Sequence, residues 1–322
     1  MTTTPNAPGG GAAEYDAVLN ASRQAGIDPD ALSRPRVAAL VVSGSRVLSR
    51  IEVPGVTLDV HRQPMGVDVH VAVAPGTRPE QPIHLCFGML PPEGTLEIRT
   101  VVHVGAGADV RFLACCTFPR ATRIRHHMDS TIQVEEGAAV EYEEVHFHGP
   151  HGGIEVTART RVVLAKDARF VSSFSLVHGR VGVLDAGYDV AVGAHGVADL
   201  TTKVFGRGDD RVRLEEVLHL NGEYARGVLK SRIAVRDSAT SDVMTTAEGN
   251  APHCRGHMDC AEIVRGHATA SNVPHVVVRD EQARITHEAA IGTVNRTELE
   301  TLMARGLDED EAVDVIIRGM LR

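Results

Sequence analysis

Short β-strands recur along this sequence at intervals of roughly 30 residues, and this repeat limits the possible folds more than any other feature. A small turn leads into a strand near Gly105, Gly137, Asp167 and Gly193. Each turn combines Gly or Asp with Ala and a polar residue, followed by Val or Phe. The pattern loosens after position 200, where DSATSD and DEQARI are expected to continue it. Such repeats are typical of stacked folds, in which each unit buries its apolar face only against its neighbours.

The strands favour a parallel β-helix, or β-solenoid, from position 37 to position 294. Segments such as VRFLACCTF, STIQV and IEVTARTRVVL are short, β-branched and alternating, and no convincing helical stretch interrupts them. Only 3% of the residues are aromatic and none is Trp, so we expect a core of small β-branched side chains. An antiparallel β-sandwich with regular turns is the alternative that fits the same pattern.

The N-terminal region, positions 1–36, precedes the predicted strands. Its first dozen residues are mostly Pro, Gly, Thr and Ala, which predicts a disordered tail. Tyr15, Val18, Leu19 and Ala25 then follow a helical spacing, although Ser22 interrupts the apolar stripe. Positions 28–30 indicate a second helical turn or short helix.

The C-terminal region, positions 295–322, predicts two short amphipathic helices. Asn295 is followed by Glu298, and Asp308 by Glu311, so each helix begins with a capping-box pattern. We expect apolar stripes of Leu299, Leu302 and Met303 on the first helix and Ala312, Val315, Ile316 and Met320 on the second. A helical hairpin of this size cannot bury both stripes alone, so part of this surface must meet the β region or a partner protein.

Composition and charge exclude several classes of function. The net charge is −9 and no concentrated basic face is visible, which argues against nucleic-acid binding. No segment offers about 18 consecutive apolar residues, and the N-terminus lacks the pattern of a secretory signal. The odd count of five cysteines does not resemble a disulfide framework, so free thiols in a reducing cytoplasm are expected.

Cysteine and histidine concentrate in HCRGHMDCAEIVRGH, positions 253–267. Cys254 and Cys260 are six residues apart and would share one face of an unbroken strand, from which His257 would point away. No second Cys/His pair follows at the spacing of a zinc knuckle, and no CxxC is present, so structural zinc and disulfide redox chemistry are not favoured.

Two other segments carry candidate ligands. In HFHGPHGG, His146 and His148 would share one face of a strand, with His151 close behind, which makes them a second candidate metal site. In a β protein so rich in histidine, the more ordinary expectation is that these are exposed strand or turn histidines. In ITHEAAIG, His287 and Glu288 place an imidazole and a carboxylate where the last strand ends. The adjacent Cys115 and Cys116 must face opposite sides of their strand, so they cannot line one site together.

The C-terminal third resembles the SufB/SufD family of iron–sulfur cluster assembly scaffolds. The resemblance rests on GHMDCAEIV and on the segment from NVPHVVV to VIIRGM, about 70 residues in total. The matching positions, in order, are Cys260, Pro274, His287-Glu288-Ala289, Arg305-Gly306-Leu307 and Glu311-Ala312. The spacing departs slightly from the family pattern between Cys260 and Pro274.

The resemblance implies a right-handed parallel β-helix flanked by N-terminal and C-terminal helices. It implies that Cys260 supplies a thiolate to a nascent, transient iron–sulfur cluster, and that His287 and Glu288 supply nitrogen and oxygen ligands, with Cys254 and His257 as secondary candidates. Such proteins pair through their β-helices and bind a SufC-like ABC ATPase through the C-terminal helices. A sulfur donor and apo-protein acceptors are further implied partners.

The sequence is most similar to a compact SufB. It carries His-Glu-Ala, as SufB does, and is shorter than the usual SufB. No cysteine lies between Cys116 and Cys254, which argues against an internal sulfur relay of the SufB kind. A homodimer that combines the SufB and SufD roles is therefore expected, with pairing to a paralogue as the variant.

The resemblance implies a non-catalytic scaffold. The sequence contains no GxxxxGK[ST] motif, so ATP hydrolysis is expected to come from a partner. One alternative is a metal-dependent enzyme on a β fold that uses His146 and His148. Another is a structural adaptor without cluster chemistry.

Overall fold

The computed structural model describes residues 10–28, 30, 34 and 36–321. Its three helices are α1 (Gly10–Gln24), α2 (Arg296–Met303) and α3 (Glu309–Met320). Its strands are β1 (Ala39–Ser43), β2 (Arg46–Ile51), β3 (Val56–Gln63), β4 (Gly66–Val73), β5 (Ile83–Gly88), β6 (Glu93–Val104), β7 (Asp109–Phe118), β8 (Arg123–Val134), β9 (Ala139–His148), β10 (Ile154–Leu164), β11 (Arg169–His178), β12 (Val183–Val192), β13 (Val197–Gly206), β14 (Arg211–Leu220), β15 (Arg226–Val235), β16 (Thr240–Gly249), β17 (Arg255–Val264), β18 (Thr269–Val278) and β19 (Arg284–Gly292).

From β4 onward, successive strands alternate between two sheets that face each other. One sheet, here sheet A, has the order β19-β17-β15-β13-β11-β9-β7-β5-β1-β2, and the other, sheet B, has the order β18-β16-β14-β12-β10-β8-β6-β4-β3. From β4 onward each strand pairs in parallel with the strand two positions later, so one rung of the stack contains one strand from each sheet. The two pairs β1–β2 and β3–β4 are antiparallel and close the N-terminal end.

This arrangement confirms the predicted parallel β-helix, of about eight turns, and shows that the β-sandwich alternative is wrong. The pairing explains why: a sandwich needs antiparallel neighbours, whereas these strands stack on their own equivalents one repeat away. The handedness stays a prediction from the family resemblance and from the strong right-handed preference of parallel crossovers.

The turn residues of the repeat have a common backbone conformation. Gly107, Gly137, Asp167 and His195 occupy equivalent turns and have positive φ angles of 67°, 66°, 57° and 57°. Glycine adopts this left-handed conformation without steric cost, and Asp tolerates it better than most residues do. The turn therefore explains the Gly or Asp at three of these four positions, whereas the fourth is His195, and Gly105 and Gly193 are outside the left-handed region. The predicted continuation holds, since DSATSD and DEQARI lead into β16 and β19.

The core fills the space between the two sheets. Along β8 and β9, buried and exposed residues alternate strictly, so every second side chain points inward. The inward positions are mostly Val, Leu, Ile, Ala and Phe, and they form one continuous cluster from Ala38 to Ala268. Because each rung buries its apolar face only against adjacent rungs, the core is continuous along the stack but needs a cover at each end.

Helix α1 covers the outer face of sheet A near the N-terminal end. Val18 packs on Ala39 and Cys115, as predicted from the helical spacing. Ser22 is buried on the same stripe, where its hydroxyl donates to the Val18 carbonyl and lies 3.4 Å from the Cys115 thiol. The helix begins at Gly10, so positions 10–12 are helical and not part of the predicted disordered tail. The rest of that prediction, positions 1–9, lies outside the described residues. The second helix predicted at 28–30 falls on partly undescribed residues, and Asp30 is in a turn.

Both C-terminal helices begin where the capping pattern predicts. The Asn295 side chain accepts from the Thr297 and Glu298 amides, and Asp308 and Glu311 form a reciprocal capping box. The predicted stripe on α3 is partly wrong. Ala312 is buried, but Val313 and Ile317 complete the buried face while Val315 is exposed, because the helix packs on Phe205 and Ala234 of sheet A. Within the described residues, no helix has the length and apolar character needed to cross a bilayer.

Candidate functional site

The C-terminal end of the solenoid is open. Strands β18 and β19 form the last rung, and within the described chain no further strand stacks on either of them. Val276, Val278 and Ile291 align in register with the inward positions of the preceding rung, yet Val278 and Ile291 are 50% and 48% exposed. We refer to this last rung, β18 and β19, as the open end. It presents to solvent the kind of surface that every other rung buries.

Cys260 lies one rung below the open end. It is an inward residue of β17 and only 2% exposed, with its thiol 3.8 Å from the Thr245 hydroxyl on sheet B. The residue stacked on Cys260 in β19 is Ala289, and the residue stacked on Thr245 in β18 is Pro274. In the last rung, the residues stacked directly on this pair are therefore small and uncharged, and only they lie between the thiol and the end of the stack.

His287 and Glu288 differ in the direction they face. His287 aligns with the inward residue Met258, so the imidazole is on the same face of sheet A as Cys260. Their Cα atoms are about 8 Å apart, the diagonal of one strand spacing and two residues. Glu288 aligns with Asp259, which faces outward and pairs with Arg232. One subunit therefore brings Cys260 and His287 toward a common space, but directs Glu288 to the opposite face of the sheet.

A second carboxylate, missed in the sequence, is on the inner face beside Cys260. Glu262 is two residues along β17 and 2% exposed, and it accepts hydrogen bonds from Ser241 and from the Asn272 amide, the latter at 3.0 Å. Burial raises the pKa of Glu262, and the hydrogen bonds from Ser241 and Asn272 partly oppose this shift. The sequence could have predicted this neighbour, because Cys260 and Glu262 are two residues apart in CAE and such residues share one face of a strand.

The two secondary candidates are on different surfaces. Cys254 is buried at the turn that precedes β17, six residues or roughly 20 Å of extended chain from Cys260. His257 faces outward, as predicted, and its Nδ1 lies 2.8 Å from the Thr286 hydroxyl on β19. Across β17 and β19, the outer face of sheet A therefore carries His257 and Glu288, and the inner face carries Cys260, Glu262 and His287.

The histidines of HFHGPHGG divide between the interior and the surface. His146 and His148 are inward residues of β9, 0% and 1% exposed, whereas His151 is in the following turn and exposed. The strand brings His146 directly beside Cys116 of β7, and sheet B adds His126 from β8. One ligand atom from each of Cys116, His126 and His146 lies within 4.8 Å of the other two.

Burial disfavours the charged forms of His126, His148 and Cys116. Burial and the neighbouring His146 lower the pKa of His148 to about 3, and the same causes lower the pKa of His126. Burial, with Glu144 nearby, raises the pKa of the Cys116 thiol. Because the imidazoles are enclosed between the sheets, a substrate could reach them only if the solenoid opened. This geometry does not favour the alternative of a β-fold enzyme at His146 and His148.

Cys115 and Cys116 face opposite sides of β7, as predicted. Cys116 lines the interior, while Cys115 lies beneath α1 with its sulfur 2.9 Å from that of Cys86. All five cysteines are free and buried.

Comparison with known proteins identifies the family of this chain. Residues 92–320 match the family described as "SUF system FeS cluster assembly, SufBD core domain". An iron–sulfur cluster assembly SufBD family protein of Methanocaldococcus jannaschii is 35% identical over 304 residues, which cover 94% of this chain and 96% of that protein. A SufBD family protein of Pyrococcus horikoshii is 35% identical over 308 residues, covering 96% and 94% of the two chains.

A more distant relative is the iron–sulfur cluster assembly protein SufB of Bacillus subtilis, which is 22% identical over 259 residues, 78% of this chain and 54% of that protein. The family match spans most of the β-helix and both C-terminal helices, including Cys260, His287 and Glu288. The chain therefore belongs to the SufBD family of the SUF iron–sulfur cluster assembly system.

Proposed function

We propose that this chain is a non-catalytic scaffold on which a nascent iron–sulfur cluster forms between the open ends of two copies. Cys260 supplies the thiolate and His287 a nitrogen ligand from the inner face of the same subunit. Glu288 of the partner subunit supplies an oxygen ligand, because Glu288 faces away from Cys260 within one chain. Thiolate binds iron firmly, and imidazole or carboxylate exchanges more readily, so this mixed set suits a cluster that is handed on.

The observation that carries the proposal is the uncovered last rung. Val273, Val276, Val278 and Ile291 are exposed there, and β18 and β19 expose a row of unpaired backbone groups. Exposed edge strands and contiguous apolar surface are typical of an interaction site. A second copy offers the same unpaired edge and apolar residues, and a twofold interface brings identical patches together. Pairing with a paralogous subunit that has a similar open end is the variant of this proposal.

We propose that a SufC-like ABC ATPase binds the C-terminal helices. Helix α3 is fixed to sheet A by Val313 and Ile317 and by the Arg236–Asp314 ion pair, whereas Val315 remains 47% exposed. Motion imposed on α3 would therefore reach β13 and β15 through Phe205 and Ala234. A sulfur donor and apo-protein acceptors complete the cycle, and the free thiols suit a reducing, cytoplasmic setting.

Anaerobic reconstitution with iron, sulfide and the ATPase tests the assignment of Cys260. We expect the visible absorbance of an iron–sulfur cluster in the wild-type chain and its loss in Cys260→Ser. Cys254→Ser is the matched control, because it removes a second buried thiol from the same segment but leaves the inner face of the open end unchanged. His287→Ala is expected to lower cluster yield or lifetime without changing the oligomeric mass.

Two outcomes would count against the proposal. Full cluster yield in Cys260→Ser would remove the thiolate assignment. If Cys254→Ser lost the cluster and Cys260→Ser retained it, the site would lie at the turn before β17, about 20 Å from Cys260.

A further inference from the structure

A second group of potential ligands lies in the core far from the open end. Cys116 and His146 are neighbours on sheet A, and His126 faces them from sheet B. The strand that carries His146, β9, is four strand spacings from β17, about 19 Å from the strand of Cys260. These residues are therefore separate from the site proposed for cluster assembly.

Each imidazole in this group has one nitrogen engaged and one nitrogen free. Nδ1 of His126 lies 3.1 Å from the Leu96 carbonyl, and Nε2 of His146 lies 2.8 Å from the Glu144 carboxylate. The nearby His148 repeats the pattern, with Nδ1 3.1 Å from the Arg180 carbonyl. Carbonyl and carboxylate oxygens accept hydrogen bonds, so each engaged nitrogen carries the proton and the other nitrogen presents a lone pair.

The free nitrogens are buried without partners. In the described structure, Nε2 of His126, Nδ1 of His146 and Nε2 of His148 have no hydrogen-bond partner. Unpaired buried polar atoms are rare in folded proteins, and several converging in one core indicate a missing ligand. A metal-binding histidine has this same arrangement, in which an oxygen fixes one ring nitrogen and the metal takes the other.

The separations fit a transition-metal ion after a small contraction. Three atoms no more than 4.8 Å apart share a point that is at most about 2.8 Å (4.8/√3) from each. Zinc bonds are about 2.0–2.3 Å, so each ligand needs to move by less than about 1 Å. The Cys116 sulfur also lies 3.9 Å from the Met128 sulfur, which adds a soft atom to the surroundings. Soft sulfur with imidazole selects zinc-class ions over magnesium or calcium.

We infer that Cys116, His126 and His146 bind a zinc-class divalent ion inside the solenoid, with His148 or a water as the fourth ligand. The ion would join β7 and β9 of sheet A to β8 of sheet B. Its role is structural, because the surrounding core leaves no route for a substrate. Binding converts the thiol of Cys116 to a thiolate, with release of its proton to solvent during folding.

Metal content measured on the intact chain tests this inference. The chain is produced in medium supplemented with zinc, purified under anaerobic conditions, and analysed by native mass spectrometry before any reconstitution with iron. We expect one zinc ion per chain in the wild type, in Cys115→Ser and in Cys260→Ser. Cys115 is the matched control, because it is adjacent to Cys116 but faces α1. We expect loss of the ion in Cys116→Ser.

A second measurement uses Co²⁺ as a spectroscopic probe. Refolding the wild-type chain with Co²⁺ is expected to give a thiolate-to-cobalt charge-transfer band that Cys116→Ser lacks and Cys260→Ser retains. A metal-free, folded wild-type chain would overturn the inference, since a buried water can satisfy the same nitrogens. This result does not depend on whether Cys116→Ser folds. Zinc and cobalt binding are measured before any cluster is assembled. A chain that binds neither ion would therefore leave the proposal for Cys260 unaffected.

Discussion

At the scale of single residues, the interior of this solenoid is unusual for its buried ionisable groups. Glu216 of β14 is fully buried and faces Thr202, whose hydroxyl donates to one carboxylate oxygen at 2.7 Å. In the described chain the second oxygen has no partner. Burial raises the pKa of Glu216 to about 7, from 4.5 for an unburied carboxyl. The folded chain therefore holds this proton at pH values where the unfolded chain has lost it.

We predict that Glu216 makes the free energy of unfolding fall as pH rises from about 4.5 to about 7. The folded state binds more protons than the unfolded state in this window, so raising the pH favours unfolding, and the effect is complete above pH 7. The pKa of Glu216 rises from 4.5 to about 7 on folding, and this difference corresponds to about 3 kcal/mol in the free energy of unfolding. Glu216→Gln should remove this slope in denaturant unfolding measured at several pH values. Glu215→Gln, on the outer face of the same strand, is the control and should keep it.

At the scale of elements, the sequence predicted most of the strands because the repeat has a physical cause at every turn. Each turn needs a residue with a positive φ angle, and each strand needs apolar side chains at alternate positions. Both requirements leave a pattern in the sequence. The buried face of α3 was harder to predict, since Val313 and Val315 are equally apolar. Which of them is buried depends on the position of Phe205, about 100 residues earlier in the chain.

The candidate sites show the same limit. The sequence identified histidines and cysteines as candidate ligands, but it did not predict which of them lie close together in the folded chain. Cys116 and His146 are 30 residues apart, one repeat, and this spacing was available as a signal that they are neighbours. No signal in the sequence indicated that His126 would join them from the opposite sheet, because this contact depends on how the two sheets face each other. The direction of Glu288 follows from the register of β19 on β17, which the sequence does not specify.

Helix α3 also gives a prediction about the ATPase. Val315 is exposed on a helix whose opposite side is fixed to sheet A, so we expect it to contact the partner. Val315→Asp should weaken binding of a SufC-like ATPase about tenfold in calorimetry, the loss expected for a charge placed in an apolar contact. Val183→Asp is the control, because Val183 is similarly exposed but lies on β12. Equal binding by wild type and Val315→Asp would place the ATPase elsewhere.

At the scale of the whole molecule, the two ends of the solenoid differ. Two antiparallel strand pairs and α1 cover the N-terminal rungs, whereas β18 and β19 expose inward-type residues. A stack of this kind needs a cap at each end, and the proposed cap is a second copy. The proposed ligands lie at this end, so dimerisation and cluster assembly are expected to fail together when the open end is altered.

Native mass spectrometry of the anaerobically reconstituted chain tests this central claim most directly. We expect a dimer that carries cluster iron and sulfide between its subunits. We also expect Val278→Glu, which places a charge on the open end, to give monomers without a cluster. Val163→Glu, on the exposed outer face of β10, should behave as wild type. A monomer that retains a complete cluster, in the wild type or in Val278→Glu, would contradict the account.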